Sequence, residues 1–348
     1  MYLIEPKRNG KWVFDPGVNM ALQEYVKDEL FLDDDVIFPY MMHPAVQIGK
    51  YQNAYEEVNQ TYMEENDIKI VRRETGGGAI YLDDRNMSFC FLLSGDQNIY
   101  GNYERLYEPA IQALKKLGIN GVKQEGRNDL VLDGKKISGA AMTVQSGRIY
   151  AGYSLLLDPN YEVMTHVLNP NAKKITSHGI QSVRSRVGSI REHLPSEHQS
   201  MTVWDFTEYI LCELLEIESL DEAKRYILTK SDWEKIDELT NEKYHNWDWN
   251  YGRFQQFSYE RTARFSAGTI KVGLEVTYGK ISTIQFSGDF FGTKDKKDIE
   301  EALIGVRLRK EDLLHALAPY YLHDYFGHIT YEAFVEFLLS EEEQEKEG

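Results

Sequence analysis

Three consecutive glycines follow a pair of arginines in the stretch Arg72–Tyr81, here called the triglycine stretch, and strand-like apolar segments lie on both sides of it. Glycine loses more chain entropy on folding than any other residue, so three in a row are tolerated mainly where the backbone approaches a ligand or adopts positive φ. Successive exposed amides form a concave anion site, and guanidinium groups suit phosphate or carboxylate. We therefore interpret the stretch as an anion site, although the glycines alone would favour a turn or bulge.

The charge of the chain restricts the partners of such a site. With 348 residues, 42% of them hydrophobic, the chain is long enough for two domains and a large core. Its net charge of −17 argues against nucleic acid, which is bound through a basic face. Local basic clusters in an acidic chain instead favour a small anionic ligand. The clusters are Arg72 and Arg73, Lys135 and Lys136, Lys173 and Lys174, and Arg184, Arg186 and Arg191.

Neither membrane insertion nor disulfide chemistry is indicated by the sequence. No apolar run approaches the ~18 residues of a membrane helix, and the N-terminal residues lack the apolar region of a signal peptide. Cys90 lies in an apolar strand-like run and Cys212 in a helical pattern, so both are expected to be buried thiols. We therefore expect a cytoplasmic protein that makes no membrane contact.

Apolar periodicity predicts alternating helices and strands without internal repeats. Helices are predicted at residues 18–30, 103–117, 203–217 and 221–244. Strands are predicted at residues 36–42, 45–48, 68–71, 79–81 and 88–93 and within 129–157. After residues 247–252 the composition changes, and a smaller second domain is predicted. It would contain a hairpin of two strands, at 264–277 and 280–287, that turns at Tyr278-Gly279, and helices at 297–304, 310–317 and 331–339.

A second group of candidate residues lies between residues 126 and 141. A strand-turn-strand unit would carry Asn128 and Asp129 at one end and Lys136 at the other, and Asp133-Gly134 predicts a type I′ turn. Asn and Asp could hold Mg²⁺, which binds through one or two protein oxygens plus substrate phosphates. Lys136 could place a positive charge on a carboxylate or phosphate. The small residues that would leave room for a ligand are Ser138, Gly139 and Ala140.

Four motifs occur in a set order along the chain. They are Arg72-Arg73-Glu74-Thr75-Gly76-Gly77-Gly78-Ala79, Gly126-Arg127-Asn128-Asp129-Leu130, Lys136-Ile137-Ser138-Gly139, and Gly179-Ile180-Gln181-Ser182-Val183-Arg184-Ser185-Arg186-Val187. In this order and approximate spacing they resemble the lipoate-protein ligase A family. The run Trp-Asp-Trp-Asn-Tyr-Gly at 247–252 is similar to the start of that family's accessory domain. The resemblance therefore covers nearly the whole chain.

The resemblance implies an α+β fold. A catalytic domain of the biotin and lipoate ligase type, with the mixed sheet and helices of class II aminoacyl-tRNA synthetases, would precede a small α/β C-terminal accessory domain. We place these domains at residues 1–245 and 246–340, followed by an acidic, disordered tail at 341–348.

The resemblance also implies two chemical steps. ATP, with Mg²⁺, would activate (R)-lipoate to lipoyl-AMP with release of pyrophosphate, and a lysine of an acceptor protein would then take the lipoyl group. The acceptor would be a 2-oxoacid dehydrogenase lipoyl domain or a glycine-cleavage H protein or H-like protein, and the enzyme would be a monomer.

Roles follow residue by residue from the resemblance. Lys136 corresponds to the essential lysine, and Asp129 is also the candidate Mg²⁺ ligand. The expected contacts of lipoate and lipoyl-adenylate are Arg72, Arg73, Thr75, Gly76, Gly77, Gly78, Tyr81, Asn128, Asp129, Ser138, Gly139, Ala140 and Tyr153. The loop expected to close over the adenylate contains Gly179, Ile180, Ser182, Val183 and Arg184. Because lipoyl domains tend to be acidic, the expected docking residues are Lys173, Lys174, Arg184 and Arg191.

Two segments depart from the family pattern. Leu82-Asp83 is followed by Arg85-Asn86, where the family usually has His-Asp and then Gly-Asn. Ala151-Gly152-Tyr153-Ser154 replaces His-His-Gly-Thr, so that a bulky tyrosine stands in a strand expected to line the substrate site. The departures predict a divergent ligase and leave its acyl-chain length and acceptor open.

Two alternative functions share parts of this pattern. An octanoyl or lipoyl transferase has the same fold but passes the acyl group through a cysteine without ATP, and residues 126–136 contain no cysteine. A non-catalytic lipoyl-nucleotide binding protein would bind without reacting. Its repressor form would need a DNA-binding domain, and a tRNA synthetase relative would need a basic face, which the net charge disfavours.

Overall fold

A computed structural model describes residues 1–94, 99–145, 147–168, 183–251, 259–277 and 279–339. The chain divides into two compact units. Unit 1 contains Met1–Gln47, Glu57–Arg72 and Ile80–Asn250, and unit 2 contains Ile48–Glu56, Arg73–Ala79 and Tyr251–Gly348. The predicted domain boundaries stay predictions; the units differ from them because they change at Asn250 and because unit 2 includes most of the triglycine stretch. The predicted tail at 341–348 lies outside the described residues.

The strands follow one another in this order: β1 (Tyr2–Leu3), β2 (Lys7–Arg8), β3 (Lys11–Trp12), β4 (Val36–Tyr40), β5 (Ala45–Ile48), β6 (Lys69–Arg72), β7 (Ile80–Leu82), β8 (Met87–Ser94), β9 (Lys123–Glu125), β10 (Asp129–Leu132), β11 (Lys135–Gln145), β12 (Arg148–Leu155), β13 (Tyr259–Phe265), β14 (Gly268–Thr277) and β15 (Lys280–Gly288).

The helices are α1 (Pro16–Asp28), α2 (Ala54–Glu57), α3 (Gln60–Glu65), α4 (Tyr103–Lys116), α5 (Tyr161–Val167), α6 (Val203–Leu215), α7 (Lys230–Leu239), α8 (Trp247–Tyr251), α9 (Lys297–Leu303), α10 (Lys310–Leu317), α11 (His323–Phe326) and α12 (Tyr331–Leu339). Short 3-10 helices lie at Arg191–His193, Ser196–His198 and Leu220–Glu222, and a π-helical turn lies at Thr240–Tyr244. None of the helices in the described residues is long and apolar enough to cross a bilayer.

Unit 1 is built around a mixed sheet of seven described strands in the order β1-β4-β8-β12-β11-β10-β9. β1 and β4 are parallel, and the other neighbours are antiparallel. Because side chains alternate along a strand, Phe89 and Phe91 of β8 pack in one core with α4 and α6, whereas Cys90 and Leu92 pack in another with α1 and α7. The sheet is therefore buried on both faces.

Local sequence signals explain where several elements begin and end. The side chain of Asp15 caps α1 by accepting from the Val18 amide at 2.9 Å, and Pro16 occupies the first helical turn. The predicted turn at Asp133-Gly134 is confirmed, because both residues have positive φ, at 50° and 74°, as type I′ geometry requires.

Two predicted elements were wrong in extent. The stretch 221–244 was predicted to be one helix, but residues 223–229 are not helical and α7 begins at Lys230. The predicted strand at 264–277 is two antiparallel strands, because β13 ends at Phe265 and turns directly into β14. The predicted helices at 310–317 and 331–339 are confirmed.

Unit 2 contains an antiparallel sheet in the order β13-β14-β15, packed with α9, α10 and α12. Its core includes the buried phenylalanines Phe286, Phe290, Phe326, Phe334 and Phe337. Tyr51, from far earlier in the chain, stacks its ring on that of Phe290 with ring centroids 4.8 Å apart. Its backbone carbonyl accepts a hydrogen bond from the Gly288 amide at 2.9 Å. Residues 48–56 thus belong to this unit by packing.

Asp232 joins α7 to α1 in unit 1. Its Oδ1 accepts from the Tyr25 hydroxyl at 2.5 Å, and its Oδ2 accepts from the Tyr226 hydroxyl at 3.0 Å and from the Thr229 amide at 2.7 Å. Burial alone would raise the pKa of Asp232, but these hydrogen bonds outweigh it and lower the pKa below the ordinary 3.8. The ionised carboxylate therefore stabilises the fold.

We predict that Asp232→Asn lowers the free energy of unfolding by about 1–3 kcal/mol at neutral pH, because charged hydrogen bonds become neutral ones. A carboxylate with a lowered folded-state pKa stabilises above its unfolded pKa, and this stabilisation is lost as pH falls through the folded pKa. Urea unfolding should therefore show the difference from wild type shrinking below pH 3.8. Asp205→Asn, at the exposed cap of α6, should give a smaller change, and a pH-independent difference at Asp232 would contradict the prediction.

Candidate active site

Lys136 and Asp129 form an ion pair on neighbouring strands of unit 1. The Lys136 Nζ lies 2.6 Å from the Asp129 Oδ1, and the two side chains are 36% and 37% exposed. A cation paired with a carboxylate at the sheet surface, with about a third of its area open, is accessible to an anionic ligand. The structure thus brings together the two charged residues that the sequence singled out in this region.

A β-bulge sets the direction of Lys136. Asp129 pairs with Gly139 and Leu130 with Ser138, but Val131 then pairs with Lys136, so Ile137 is the extra residue. Without the bulge, Lys136 would share a face with Ser138, two residues away. With it, Lys136 lies on the face of Gly139, where a Cβ added to Gly139 would stand 3.0 Å from the Lys136 Nζ. Gly139 therefore leaves the space that the lysine side chain occupies.

Three predicted contact residues lie on the other face of the sheet. Ser138 is fully buried, and Ala140 and Tyr153 belong to the core that also contains α4. The Tyr153 ring packs 5.4 Å from Phe91 and 5.2 Å from Tyr107. Burial raises the pKa of its hydroxyl. The tyrosine that departs from the family pattern therefore fills the core and does not lie on the face that carries Lys136.

On β12, Gly152 lies on the same face as Lys136 and Gly139, a placement that the sequence interpretation missed. It pairs with Ala141 of β11 and with Cys90 of β8. A Cβ at Gly152 would stand 2.9 Å from the Cys90 Sγ. The register between β11 and β12 identifies its face. Gly139 and Ala141 are two residues apart on β11 and share a face, and Gly152 pairs with Ala141.

Asn128 fixes the start of β10 to β11. Its backbone carbonyl accepts from the Ala140 amide at 2.9 Å, and its Nδ2 donates to the Ala140 carbonyl at 2.5 Å. The side-chain amide is therefore used inside the protein, and Asn128 holds the strand pair together beside Asp129.

The segment that follows the predicted adenylate loop lies next to Lys136. The Gly188 amide donates to the Lys136 carbonyl at 2.8 Å, and Val187 forms an isolated parallel bridge with Lys136. Residues 183–186 are helical, and the Arg184 guanidinium lies 5.2 Å from the centre of the Tyr161 ring. Of the predicted loop, Val183 and Arg184 are described. Gly179, Ile180 and Ser182, together with the predicted docking residues Lys173 and Lys174, lie outside the described residues.

The two arginines of the triglycine stretch have different surroundings. Arg72 is 4% exposed, and its guanidinium donates to the carbonyls of Trp249 and Asn250, each at 2.8 Å. Arg73 belongs to unit 2, where its guanidinium donates to the carbonyls of Gly76 and Gly78, each at 2.8 Å. Arg72 is thus a structural link within unit 1, whereas Arg73 holds the curved backbone of the stretch itself.

The three glycines differ in whether the fold requires them. A Cβ at Gly76 would lie 2.2 Å from the Phe290 carbonyl oxygen, so the backbones approach too closely for any side chain. Gly77 has φ of 96°, which favours glycine. A Cβ at Gly78 would meet no described atom within 4 Å, and its φ is not positive. Folding therefore explains the first two glycines and leaves the third available for contact with a ligand.

The remaining predicted residues of the stretch are structural in position. Thr75 is 3% exposed, and its hydroxyl accepts from the Arg73 Nε at 3.1 Å. Tyr81 of β7 is 4% exposed and pairs with Val46, and burial raises the pKa of its hydroxyl. Thr75 shapes the stretch, and Tyr81 anchors its end where β7 pairs with β5.

Asp129 is the candidate Mg²⁺ ligand of the site. Within the described residues, no group of three or more His, Cys, Asp or Glu side chains is arranged to hold a metal. A single carboxylate fits a Mg²⁺ ion whose other ligands are water and nucleotide phosphates, and it does not fit an ion caged by protein alone.

Cys90 and Cys212 are free thiols. Cys90 is 4% exposed, and burial raises its pKa to about 12, although a hydrogen bond from the Tyr150 hydroxyl at 3.2 Å partly opposes the shift. The prediction of a buried thiol is confirmed for Cys90, whereas Cys212 is only partly buried and burial raises its pKa as well. Neither thiol has the lowered pKa of a nucleophilic cysteine.

Two family models match the chain. The model described as the lipoyl protein ligase A/B catalytic domain matches residues 15–215, and that of the bacterial lipoate protein ligase C-terminus matches residues 255–338. Both lie within the regions for which the sequence predicted a catalytic and an accessory domain.

Curated relatives are similar over their full length. A lipoate-protein ligase of Streptococcus pyogenes is 52% identical over 340 residues, which cover 98% of this chain and 100% of that protein. Lipoate-protein ligase 2 of Staphylococcus aureus is 50% identical over 98% of this chain and 100% of that protein. The ligase LplJ of Bacillus subtilis is 39% identical over 93% of this chain and 97% of that protein.

Solved structures share the fold at lower identity. Plasmodium falciparum LipL1 in complex with lipoate has a TM-score of 0.72 at 17% identity, covering 92% of this chain and 94% of that one. A lipoate-protein ligase A bound with ATP has a TM-score of 0.57 at 24% identity, covering 72% and 98%. A chain from the structural analysis of a bipartite lipoate protein ligase and its E2 lipoyl domain from Thermoplasma acidophilum has a TM-score of 0.62 at 23% identity, covering 74% of this chain and 98% of that one.

We predict that Gly76→Ala and Gly78→Ala affect stability differently. Gly76→Ala should lower the free energy of unfolding by about 1–3 kcal/mol or more, because the methyl group would overlap the Phe290 carbonyl. Gly78→Ala should change it by less than about 1 kcal/mol, because its backbone suits alanine. Chemical denaturation of the two variants beside wild type checks this, and equal losses would show that Gly78 also has a folding role.

Proposed function

The chain belongs to the lipoyl protein ligase A/B family, and on that premise we propose that it is an ATP-dependent lipoate-protein ligase. It activates lipoate to lipoyl-AMP and transfers the lipoyl group to a lysine of an acceptor protein. The full-length similarity to curated ligases, at 50–52% identity, carries this proposal. Related structures solved with ATP and with lipoate support the choice of substrates.

The reaction proceeds in two balanced steps. A carboxylate oxygen of lipoate attacks the α-phosphorus of ATP, and the bond to the bridging oxygen of pyrophosphate breaks. The acceptor amine then attacks the acyl carbonyl, AMP leaves, and the amine loses a proton. Adenylation replaces a poor leaving group by a good one.

Lys136 stabilises the charge that develops in the first step. In the structure its ammonium group is held by Asp129 at 2.6 Å. A negative ligand competes with the Asp129 carboxylate for this ammonium group. The ammonium can therefore move to the lipoate carboxylate and the α-phosphate as negative charge builds on them. Asp129 is the residue that would hold a Mg²⁺ ion accompanying ATP, and such an ion would neutralise phosphate charge.

The triglycine stretch is proposed to hold the lipoyl-adenylate. Arg73 keeps its backbone curved by binding the carbonyls of Gly76 and Gly78. Backbone amides in such a curve suit an anionic ligand, and Gly78 is the position with open space. We retain Arg73, Gly77 and Gly78 as contact residues. Arg72, Ser138, Ala140 and Tyr153 are left out because the structure uses them internally.

A transferase without ATP is the alternative, and thiol chemistry argues against it. Such an enzyme needs a reactive cysteine, whereas Cys90 is buried with a raised pKa and Cys212 has a raised pKa.

The acceptor is proposed to be a lipoyl domain or a glycine-cleavage H protein. The archaeal ligase that is described together with its E2 lipoyl domain supports a protein acceptor. Exposed Arg184 remains a docking candidate. Arg191 does not, because its Nη1 donates to the carbonyls of Gln199 and Met201, each at 3.0 Å. The monomeric state stays a prediction.

Lipoate-dependent exchange of labelled pyrophosphate into ATP, without acceptor, tests the proposal. Wild type should exchange, and Lys136→Ala should reduce the rate about 100-fold or more while remaining folded, because the charge on the reacting groups is then uncompensated. Lys135→Ala, the preceding residue on β11, is the matched control and should stay near wild type. Gly78→Ala should fold but exchange more slowly.

Absence of exchange by folded wild type would refute acid adenylation. A fully active Lys136→Ala protein would refute only the role given to that lysine.

We further predict that Arg184→Glu raises the KM for an acidic acceptor about 10-fold and changes pyrophosphate exchange less, because reversing this exposed charge acts mainly on docking of the acidic partner. Lys230→Glu, on α7, makes the same charge change elsewhere and should leave both reactions unaltered. Steady-state lipoylation at varied acceptor concentration measures the effect. Equal KM values for the two variants would remove Arg184 from the docking surface.

A further inference from the structure

We propose that Tyr107 is a positioning residue for the Lys136–Asp129 pair, acting through the buried hydroxyl that it extends from α4 to β10 and β11. The inference rests on the proposed ligase function.

The Tyr107 hydroxyl joins the two strands that carry the ion pair. It donates to the Asn128 carbonyl at 3.1 Å and lies 3.1 Å from the Ser138 Oγ, where either oxygen could be the donor. A hydroxyl has one hydrogen, so a chain in which Ser138 donates to Tyr107 and Tyr107 donates to Asn128 satisfies all three groups. Tyr107 and Ser138 are both 0% exposed.

These anchor points are adjacent to the reactive groups. Asn128 immediately precedes Asp129, and Ser138 immediately precedes Gly139, the residue over which the Lys136 side chain passes. Ser138 also follows the bulged residue Ile137, which turns Lys136 to the Asp129 face. Holding Asn128 and Ser138 at one hydroxyl therefore fixes the bulge from the opposite side of the sheet.

Burial makes this contact dependable. It raises the pKa of the Tyr107 hydroxyl well above the ordinary value, with the Ser138 hydrogen bond opposing the shift, so the phenol keeps its proton. The Tyr107 and Ser138 side chains are fully buried, and a hydroxyl left without a partner there would be costly. The hydroxyl is thus a permanent donor to the Asn128 carbonyl.

Tyr153 provides a matched control in the same cluster. Its ring centroid lies 5.2 Å from that of Tyr107, and it is 2% exposed. Its hydroxyl has no hydrogen-bond partner among the described residues. Replacing either tyrosine by phenylalanine removes one buried oxygen and keeps the ring, but only Tyr107→Phe breaks the link to Asn128 and Ser138.

The first readout is pyrophosphate exchange. Tyr107→Phe should lower kcat about 10-fold or more with KM for lipoate within twofold, because small displacements of a positioned charge cost rate more than binding. Tyr153→Phe should stay within twofold of wild type in both constants. Ser138→Ala keeps Tyr107 and removes one partner, so it should lower kcat less, and it serves if Tyr107→Phe does not fold.

The second readout does not depend on activity. Acetylation of Lys136 by acetic anhydride, followed by peptide mass spectrometry, should be several-fold faster in Tyr107→Phe than in wild type, because the ammonium is held less firmly by Asp129. Acetylation of Lys230, which is 92% exposed, normalises the rates. Tyr153→Phe should label like wild type.

Equal behaviour of Tyr107→Phe and Tyr153→Phe in both readouts would overturn the proposal, whether both are active or both impaired. Absence of exchange by wild type would overturn the ligase function instead, and the labelling result would still report whether Tyr107 holds Lys136 in place.

Discussion

The pairing of β10 with β11, interrupted by one bulged residue, is the constraint on which the site depends. Regular alternation would place Lys136 on the same face as buried Ser138. The extra residue Ile137 reverses this, so the lysine reaches Asp129 across Gly139. Because β11 continues into the centre of a sheet buried on both faces, its register cannot slip without exposing a core. The position of the reactive ammonium is therefore secured by the packing of unit 1 as a whole.

Polar groups beside the bulge show how such a site stays rigid. The Tyr107 hydroxyl bonds both the Asn128 carbonyl and the Ser138 hydroxyl. A buried polar group without a partner costs free energy, so this arrangement favours a single geometry. Tyr153, whose hydroxyl is buried without a partner among the described residues, contributes ring packing to the same core and adds no hydrogen bond.

The triglycine stretch answers two requirements at once. Gly76 is needed because the Phe290 carbonyl comes close, and Gly77 because its backbone has positive φ. These are the folding reasons that a glycine-rich turn suggests. Gly78 meets neither condition, so the interpretation as an anion site still applies at that position. A run of glycines can thus carry a structural role and a binding role at adjacent positions, and the two are separable by single alanine substitutions.

The sequence by itself determined the family, the α+β class and most helices and strands. It also determined the type I′ turn at Asp133-Gly134 and the strand-turn-strand unit that carries Asp129 and Lys136. These follow from local patterns and from motifs that are contiguous in the chain. Only the tertiary structure shows that the Arg72 guanidinium is hydrogen-bonded to the carbonyls of Trp249 and Asn250. It also decided that Tyr153 lies in the core while Gly152 lies on the Lys136 face. Residues 73–79 likewise belong to unit 2 through tertiary contacts. The physical reason is that a bulge, a register and a long-range hydrogen bond depend on partners distant in sequence, which periodicity does not report.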